Sequence, residues 1–230
     1  MHQQHISRRA LLTGAALAWP AAAMAAPVVE LALVLAIDCS YSVTPEEYQL
    51  QMRGTGQALL APEILEAVAG GLSKQIAISA FVWSSPQSQF VLAPWQLLKT
   101  AADAQAIAQA FLRAPRNLPR ETTATGAALL FAQSLLDAAP RALRHVVDIS
   151  TDGQCNDGPK VEGIRDVLIA DGTVINGLAI TKDVPDLDGY LRRSVIGGSN
   201  SFVMKANDFE AYGHSLREKL FREITGAEVI

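Results

Sequence analysis

Charge and aromatic side chains are scarce in this sequence, at 18% and 6% of its 230 residues, and only two cysteines and four histidines occur. The 19 basic residues are outnumbered by 23 acidic ones and form no basic run, so the electrostatic footprint expected of a nucleic acid binder is missing. Gly and Pro, at 16 and 11, are too few for a collagen-like or disordered chain. No apolar run is long enough to span the roughly 30 Å of a bilayer core. What the chain has in quantity is hydrophobic residues, half of the total, enough to bury the core of one globular domain.

The first 25 residues read as an address. A polar start leads to Arg8 and Arg9, an apolar stretch over 10–18, and Ala23-Met24-Ala25 ahead of Ala26-Pro27, which is the pattern of a cleavable signal. The apolar stretch ends at Trp19-Pro20, so it predicts no stable membrane insertion once the signal is cleaved. Ser7-Arg8-Arg9-Ala10-Leu11-Leu12 resembles a twin-arginine motif, with Leu11 where an aromatic is expected; an ordinary secretory signal is the alternative. Either route predicts a bacterial protein that is periplasmic or secreted, with residues 26–230 forming a single domain.

Residues 31–37 (LALVLAI) are continuously apolar over a strand's length, the pattern of a strand buried on both faces of a parallel sheet. Thr44-Pro45-Glu46-Glu47 then offers an N-cap, a proline in the first turn and a glutamate at the third position, which predicts a helix to about residue 60. Further strands are predicted at 75–83, 89–93, 144–150, 173–180 and 200–205, and helices at 100–113, 123–138, 159–170, 187–195 and 209–224. The short link around Ser84-Ser85-Pro86 allows only a hairpin, since a parallel crossover needs about ten residues or more. The expected fold is a doubly wound α/β domain. Its sheet has six mostly parallel strands, one antiparallel strand at an edge and helices on both faces, with ligands met at the carboxyl ends of the strands.

Three segments fall at that end. Asp38-Cys39-Ser40-Tyr41-Ser42 follows the first strand, Thr122-Thr123-Ala124-Thr125-Gly126 opens a helix, and Thr151-Asp152-Gly153 closes another strand. Carboxylates and hydroxyls are hard oxygen donors of the sort Mg²⁺ takes, and two aspartates balance one dication. The alternative for Ser40, Ser42 and Thr123 is local capping and turn formation, which these residue types favour.

In their order and setting, D-x-S-x-S, T-x-T-G-x-x-L and an apolar strand ending T-D-G resemble the von Willebrand factor A (VWA) domain and its metal-ion-dependent adhesion site (MIDAS). The likeness runs along essentially the whole mature chain and looks closest to a group of exported bacterial proteins known only as a domain of unknown function. It implies a metal site at Asp38, Ser40, Ser42, Thr123 and Asp152, occupied by Mg²⁺ with Mn²⁺ or Ca²⁺ as substitutes. It also implies a partner protein that lends an acidic side chain to the ion. Cys39 and Tyr41 stand where many such domains have small residues.

No nucleophile-and-base pair or phosphate cradle is legible: G-x-S-x-G, H-E-x-x-H and a P-loop are all missing. A phosphotransferase of the haloacid dehalogenase type would want an acid two residues after Asp38, where Ser40 stands. The chain is therefore read as a binding module and not an enzyme, a VWA-like scaffold without metal being the other binding reading. Around the site, Tyr41, Trp83, Arg116 and Arg120 are candidates for a partner-binding rim, Trp83 being equally readable as core and the arginines as solvated loop charges. Asp148, inside an apolar strand, reads as a buried hydrogen-bonded carboxylate or a support for the site. Cys39 and Cys155 follow the two aspartates at the ends of neighbouring strands, so a disulfide is expected, with two separate thiols as the alternative.

Overall fold

A computed structural model describes residues 28–226; the segment read as a signal lies outside them. The apolar run becomes β1 (Val29–Asp38), flanked in parallel by β2 (Ile76–Trp83) on one side and β4 (Ala142–Thr151) on the other. Antiparallel β3 (Gln89–Leu98) edges the sheet beside β2, while β5 (Val174–Ile180) and β6 (Val203–Ala206) extend it in parallel beyond β4. The strand order is β3-β2-β1-β4-β5-β6, the doubly wound arrangement expected from the sequence.

Strand alternation divides the core into two layers. Leu31, Leu33, Leu35 and Ile37 of β1 face one side, while Val34 and Ala36 face the other. On the first side pack α1 (Pro45–Leu59), α2 (Pro62–Gly70), α3 (Ala101–Leu112) and α7 (Tyr212–Thr225); on the second pack α4 (Thr125–Asp137), α5 (Val161–Ala170) and α6 (Leu187–Tyr190), which runs into a wider turn over Leu191–Val195. At the start of α1 the expected capping box is formed: Thr44 Oγ1 accepts from Glu47 N at 3.2 Å, and Glu47 Oε2 accepts from Thr44 N at 2.8 Å.

The differences from expectation have local causes. Helix α2 was not predicted: Pro62 begins a new nine-residue helix that buries only Ile64 and Val68, too short a repeat to stand out. Strand β3 does not stop at 93 but continues through Pro94, which an edge strand tolerates where the pairing with β2 slips register. The last strand begins at Val203 and not at 200, because Asn200 takes a left-handed φ of 57°. Among the described residues no helix is long and apolar enough to cross a membrane.

Candidate functional site

The carboxyl ends of β1 and β4 lie side by side, and their terminal residues lock together. Thr151 Oγ1 donates to Asp38 Oδ2 at 2.5 Å, and the Asp38 carboxylate turns back to accept from Ser40 N at 2.7 Å. The second accepted bond fixes the turn that carries the chain off the strand. The loop after β1 is then tied to the segment before α4, Tyr41 N donating to Glu121 O at 2.7 Å. That segment is tied in turn to the loop after β4: Asn156 N donates to Thr123 O at 3.0 Å, and Asn156 Oδ1 accepts from Thr123 N at 2.8 Å. Gly126 admits this approach, since a Cβ there would come within 2.2 Å of Pro159 O.

This bracing brings Asp38, Ser40, Ser42, Thr123 and Asp152 into one cluster. Thr123 Oγ1 donates to Ser40 Oγ at 3.1 Å, Ser40 Oγ lies 3.4 Å from Ser42 Oγ, and Ser42 Oγ donates to Asp152 Oδ1 at 2.7 Å. The hydroxyls of Ser42 and Thr123 thus reach residues over 80 positions away, and α4 starts without a side-chain cap, so local capping does not describe what they do. Asp38, Ser40, Thr123 and Asp152 are buried, whereas Ser42 is exposed and marks the open side. Burial, reinforced by the nearby Asp152 charge, pushes the Asp38 carboxyl up to about 7; burial also raises Asp152, despite the Ser42 hydrogen bond. Among the described residues no Lys, Arg or His pairs with either aspartate.

The donor set suits a hard cation. Among the described residues no three His, Cys, Asp or Glu side chains gather as a metal cluster, so what stands here is two carboxylates plus three neutral hydroxyls, a set fit for Mg²⁺ and poor for a soft metal.

Several neighbours sit differently from expectation. Trp83 is no rim residue: it is fully buried in the layer beneath α4, because its position on β2 points it inward. Arg116 is not a solvated loop charge; it turns inward and donates to the carbonyls of Cys39, Ser40 and Val43. Arg120 remains at the surface, its guanidinium 4.7 Å from the ring centroid of Tyr41, which is 70% exposed. The expected disulfide is absent: Cys39 and Cys155 are free thiols. The two lie on opposite sides of the sheet, Cys39 in the first core layer and Cys155 packed against the second. Asp148 is an ion-paired core residue, held at 2.8 Å by Lys219 of α7. Sequence reasoning missed Thr151 and Asn156 as partners of the cluster; the motif T-D-G contained the first, and nothing in the spacing marked the second.

A six-stranded sheet in this order, with one antiparallel edge and this constellation at its carboxyl ends, defines a VWA-like domain. The chain belongs to the family described as "Protein of unknown function (DUF1194)", whose model matches residues 28–228. Solved structures similar to it include proximal thread matrix protein 1 from the mussel byssus, with 19% identity and a TM-score of 0.62 over 87% of this chain and 48% of that one. A von Willebrand factor type A protein from Catenulispora acidiphila matches with 19% identity and a TM-score of 0.59, over 87% and 44% of the two chains. The pilus adhesin SpaC from Lactobacillus rhamnosus GG matches with 15% identity and a TM-score of 0.59, over 86% and 31%. The chain thus spans half or less of the length of these proteins. A further structure of the mussel protein is described as having a zinc-occupied MIDAS motif. A search of the curated proteins returned no significant match.

Proposed function

We propose that this chain is an exported module that binds another protein through a divalent cation, Mg²⁺ with Mn²⁺ or Ca²⁺ as substitutes, held by Asp38, Ser40, Ser42, Thr123 and Asp152. The observation that carries the reading is the pair Asp38 and Asp152: two carboxylates under cover, flanked by hydroxyls from two loops, with no base beside them among the described residues. Uncompensated buried carboxylates are costly, and a dication removes that cost. The aspartates would supply the charge and Ser40, Ser42 and Thr123 the neutral oxygens. A cation bound there supplies an electrophilic position that an acidic oxygen of the partner can fill. Exposed Ser42 gives the side of approach, and Tyr41 with Arg120 frames it. Support also comes from the similar solved proteins, which include a pilus adhesin and a byssal matrix protein whose MIDAS motif takes zinc. Export rests on the Arg8-Arg9 segment, and replacing both arginines by lysine should leave uncleaved precursor in the cytoplasm.

The test is calorimetry of the mature protein with Mg²⁺ and Mn²⁺, followed by capture of partners from periplasmic extract with and without chelator. One site per chain, lost in Asp38→Ala and Asp152→Ala while the far-UV spectrum stays folded, is the expected outcome. A metal-free scaffold binding through its loops is the second reading. It draws on the bonds the cluster's hydroxyls and carboxylates already make with one another. No uptake by the wild-type protein at millimolar metal, with partner capture unaffected by chelator, would establish it instead.

A further inference from the structure

Arg116 lies four residues beyond α3, more than 70 positions from the loop after β1, yet its guanidinium is spent on that loop. Nη2 donates to Cys39 O at 2.5 Å and to Ser40 O at 3.1 Å, and Nη1 donates to Val43 O at 2.8 Å. The guanidinium carbon stands 5.7 Å from the ring centroid of Tyr48, a fully buried residue of α1. Tyr48 OH in turn donates to Pro115 O at 3.2 Å, so the helix that follows the loop holds the segment that carries the arginine. The tie closes in both directions.

We infer that Arg116 is the positioning residue of the cluster. It gathers the carbonyls of Cys39, Ser40 and Val43 on one side of the loop, which leaves the hydroxyls of Ser40 and Ser42 converged on Thr123 and Asp152 on the other. The guanidinium spreads its donors over two nitrogens in a rigid plane, whereas the three donors of a lysine ammonium radiate from one rotatable point and hold the carbonyls less firmly in this arrangement. The role is geometric, because the sign of the charge is wrong for any other. A cation fixed to the loop that carries two of the oxygen donors repels a dication. Electrostatics alone therefore predicts tighter metal binding when Arg116 is neutralised, and positioning predicts weaker binding. The inference rests on the metal reading above, and the opposite signs separate it from a general effect of charge.

The experiment titrates the folded mature protein with Mn²⁺, as wild type, Arg116→Gln and Arg116→Lys, and follows amide hydrogen exchange at Ser40–Val43 in chelator. For Arg116→Gln, Mn²⁺ affinity should fall about tenfold, the scale on which outer-shell supports act. Exchange at Ser40–Val43 should accelerate while the amides of α7 keep their protection, and Arg116→Lys should recover part of both. If Arg116→Gln fails to fold, Arg116→Lys decides alone, with weaker affinity and faster loop exchange still expected. Unchanged or tighter Mn²⁺ binding by the folded variants, with wild type binding normally, overturns the positioning role and leaves the metal reading standing. Failure of wild type to bind Mn²⁺ overturns both.

Discussion

The domain takes two pairs of carboxylates out of water, and it treats them differently. Asp148 and Glu223 lie in the core between β4 and α7 with Lys219 between them, its Nζ 2.8 Å from Asp148 Oδ1 and 2.6 Å from Glu223 Oε1. Asn176 Nδ2 adds a bond to Glu223 Oε1 at 2.9 Å, and burial, then the Asp148 charge, pushes Glu223 up to about 7. That cluster thus carries its own counter-ion, and below about pH 7 Glu223 holds a proton as well. Asp38 and Asp152, at the carboxyl ends of β1 and β4, have hydroxyls around them and, among the described residues, no base. Burial raises both aspartates, no Lys, Arg or His among the described residues offsets a charge on either, and exposed Ser42 leaves a way in. A carboxylate pair that fastens a helix brings its own cation; the pair that lacks one is the pair proposed above to take it from outside.

The largest break in this comparison is Lys219→Met, which strips the closed pair of its base. Removing one partner of a buried ion pair costs about 3–5 kcal/mol, and urea unfolding at pH 7 should show a loss of that size. A change under 1 kcal/mol would mean that the lysine does not hold α7 to the sheet.

Next in size is the pH response of Glu223. Its ordinary value is 4.5, and in the folded chain it rises to about 7, so between those values the native state holds a proton that the unfolded chain has released. Stability contributed at this position is therefore lost as pH rises from about 4.5 to about 7, with a slope of up to about 1.4 kcal/mol per pH unit. Glu223→Gln imitates the protonated acid and keeps the acceptor for Lys219 and Asn176. Wild-type and variant stabilities, both measured in chelator so that the aspartate pair contributes equally, should converge near pH 4.5 and separate in the variant's favour toward pH 7. Parallel curves would place the Glu223 titration elsewhere.

The open pair was far more legible in the sequence than the closed one, and the reason is physical. Asp38, Ser40, Ser42, Thr123 and Asp152 come from short loops next to strongly patterned elements, so finding the strands and helices was enough to bring the three segments together. The sheet was legible for the same cause: continuous apolar runs such as 31–37 admit few other places. Lys219 and Glu223 instead sit on α7 at helical spacing i, i+4, where a surface ion pair looks the same, and only the packing of α7 on β4 and β5 shows that they point inward. Arg116 was read as a rim candidate or a solvated charge, and its loop has no periodicity to show that it turns inward onto the carbonyls of Cys39, Ser40 and Val43. Cys39 and Cys155 were brought near by sequence distance from the strand ends, but the loop after β4 carries Cys155 to the layer opposite that of Cys39.

Metal itself sharpens the comparison at an intermediate scale. At a concentration one hundred times its Kd, a ligand that binds only the folded state stabilises by about 2.7 kcal/mol. Thermal unfolding of wild type should show a gain of that order with saturating Mg²⁺, and Lys219→Met should gain the same increment on its lowered baseline, because its site is intact. Asp38→Asn should gain nothing. An equal increment in Asp38→Asn would detach metal binding from the open pair.

The smallest effect is expected where water can take over. Ser42→Ala removes the hydroxyl that donates to Asp152 Oδ1 at 2.7 Å, but the residue is exposed, and solvent can hydrate the oxygen that loses its partner. An ordinary hydrogen bond contributes a net 0.5–1.5 kcal/mol, and the chelator-treated protein should lose about the lower end of that range. The matched deletion in the closed pair is Asn176→Ala, where Nδ2 serves Glu223 and Oδ1 accepts from Phe202 N at 3.0 Å, both buried. Glu223 Oε1 keeps its bond from Lys219, but Phe202 N is stranded there without water, so the cost should exceed that of Ser42→Ala by about 1–3 kcal/mol, the desolvation penalty of an unsatisfied buried group. Adding Mg²⁺ should then reverse the sense of the pair: Asn176→Ala should keep the full metal increment and Ser42→Ala only part of it, since one oxygen donor is gone. Equal costs in chelator would show that the cluster at Asp38 and Asp152 is as closed as the one at Lys219, and the distinction between a pair that is filled from within and one that is filled from outside would fall.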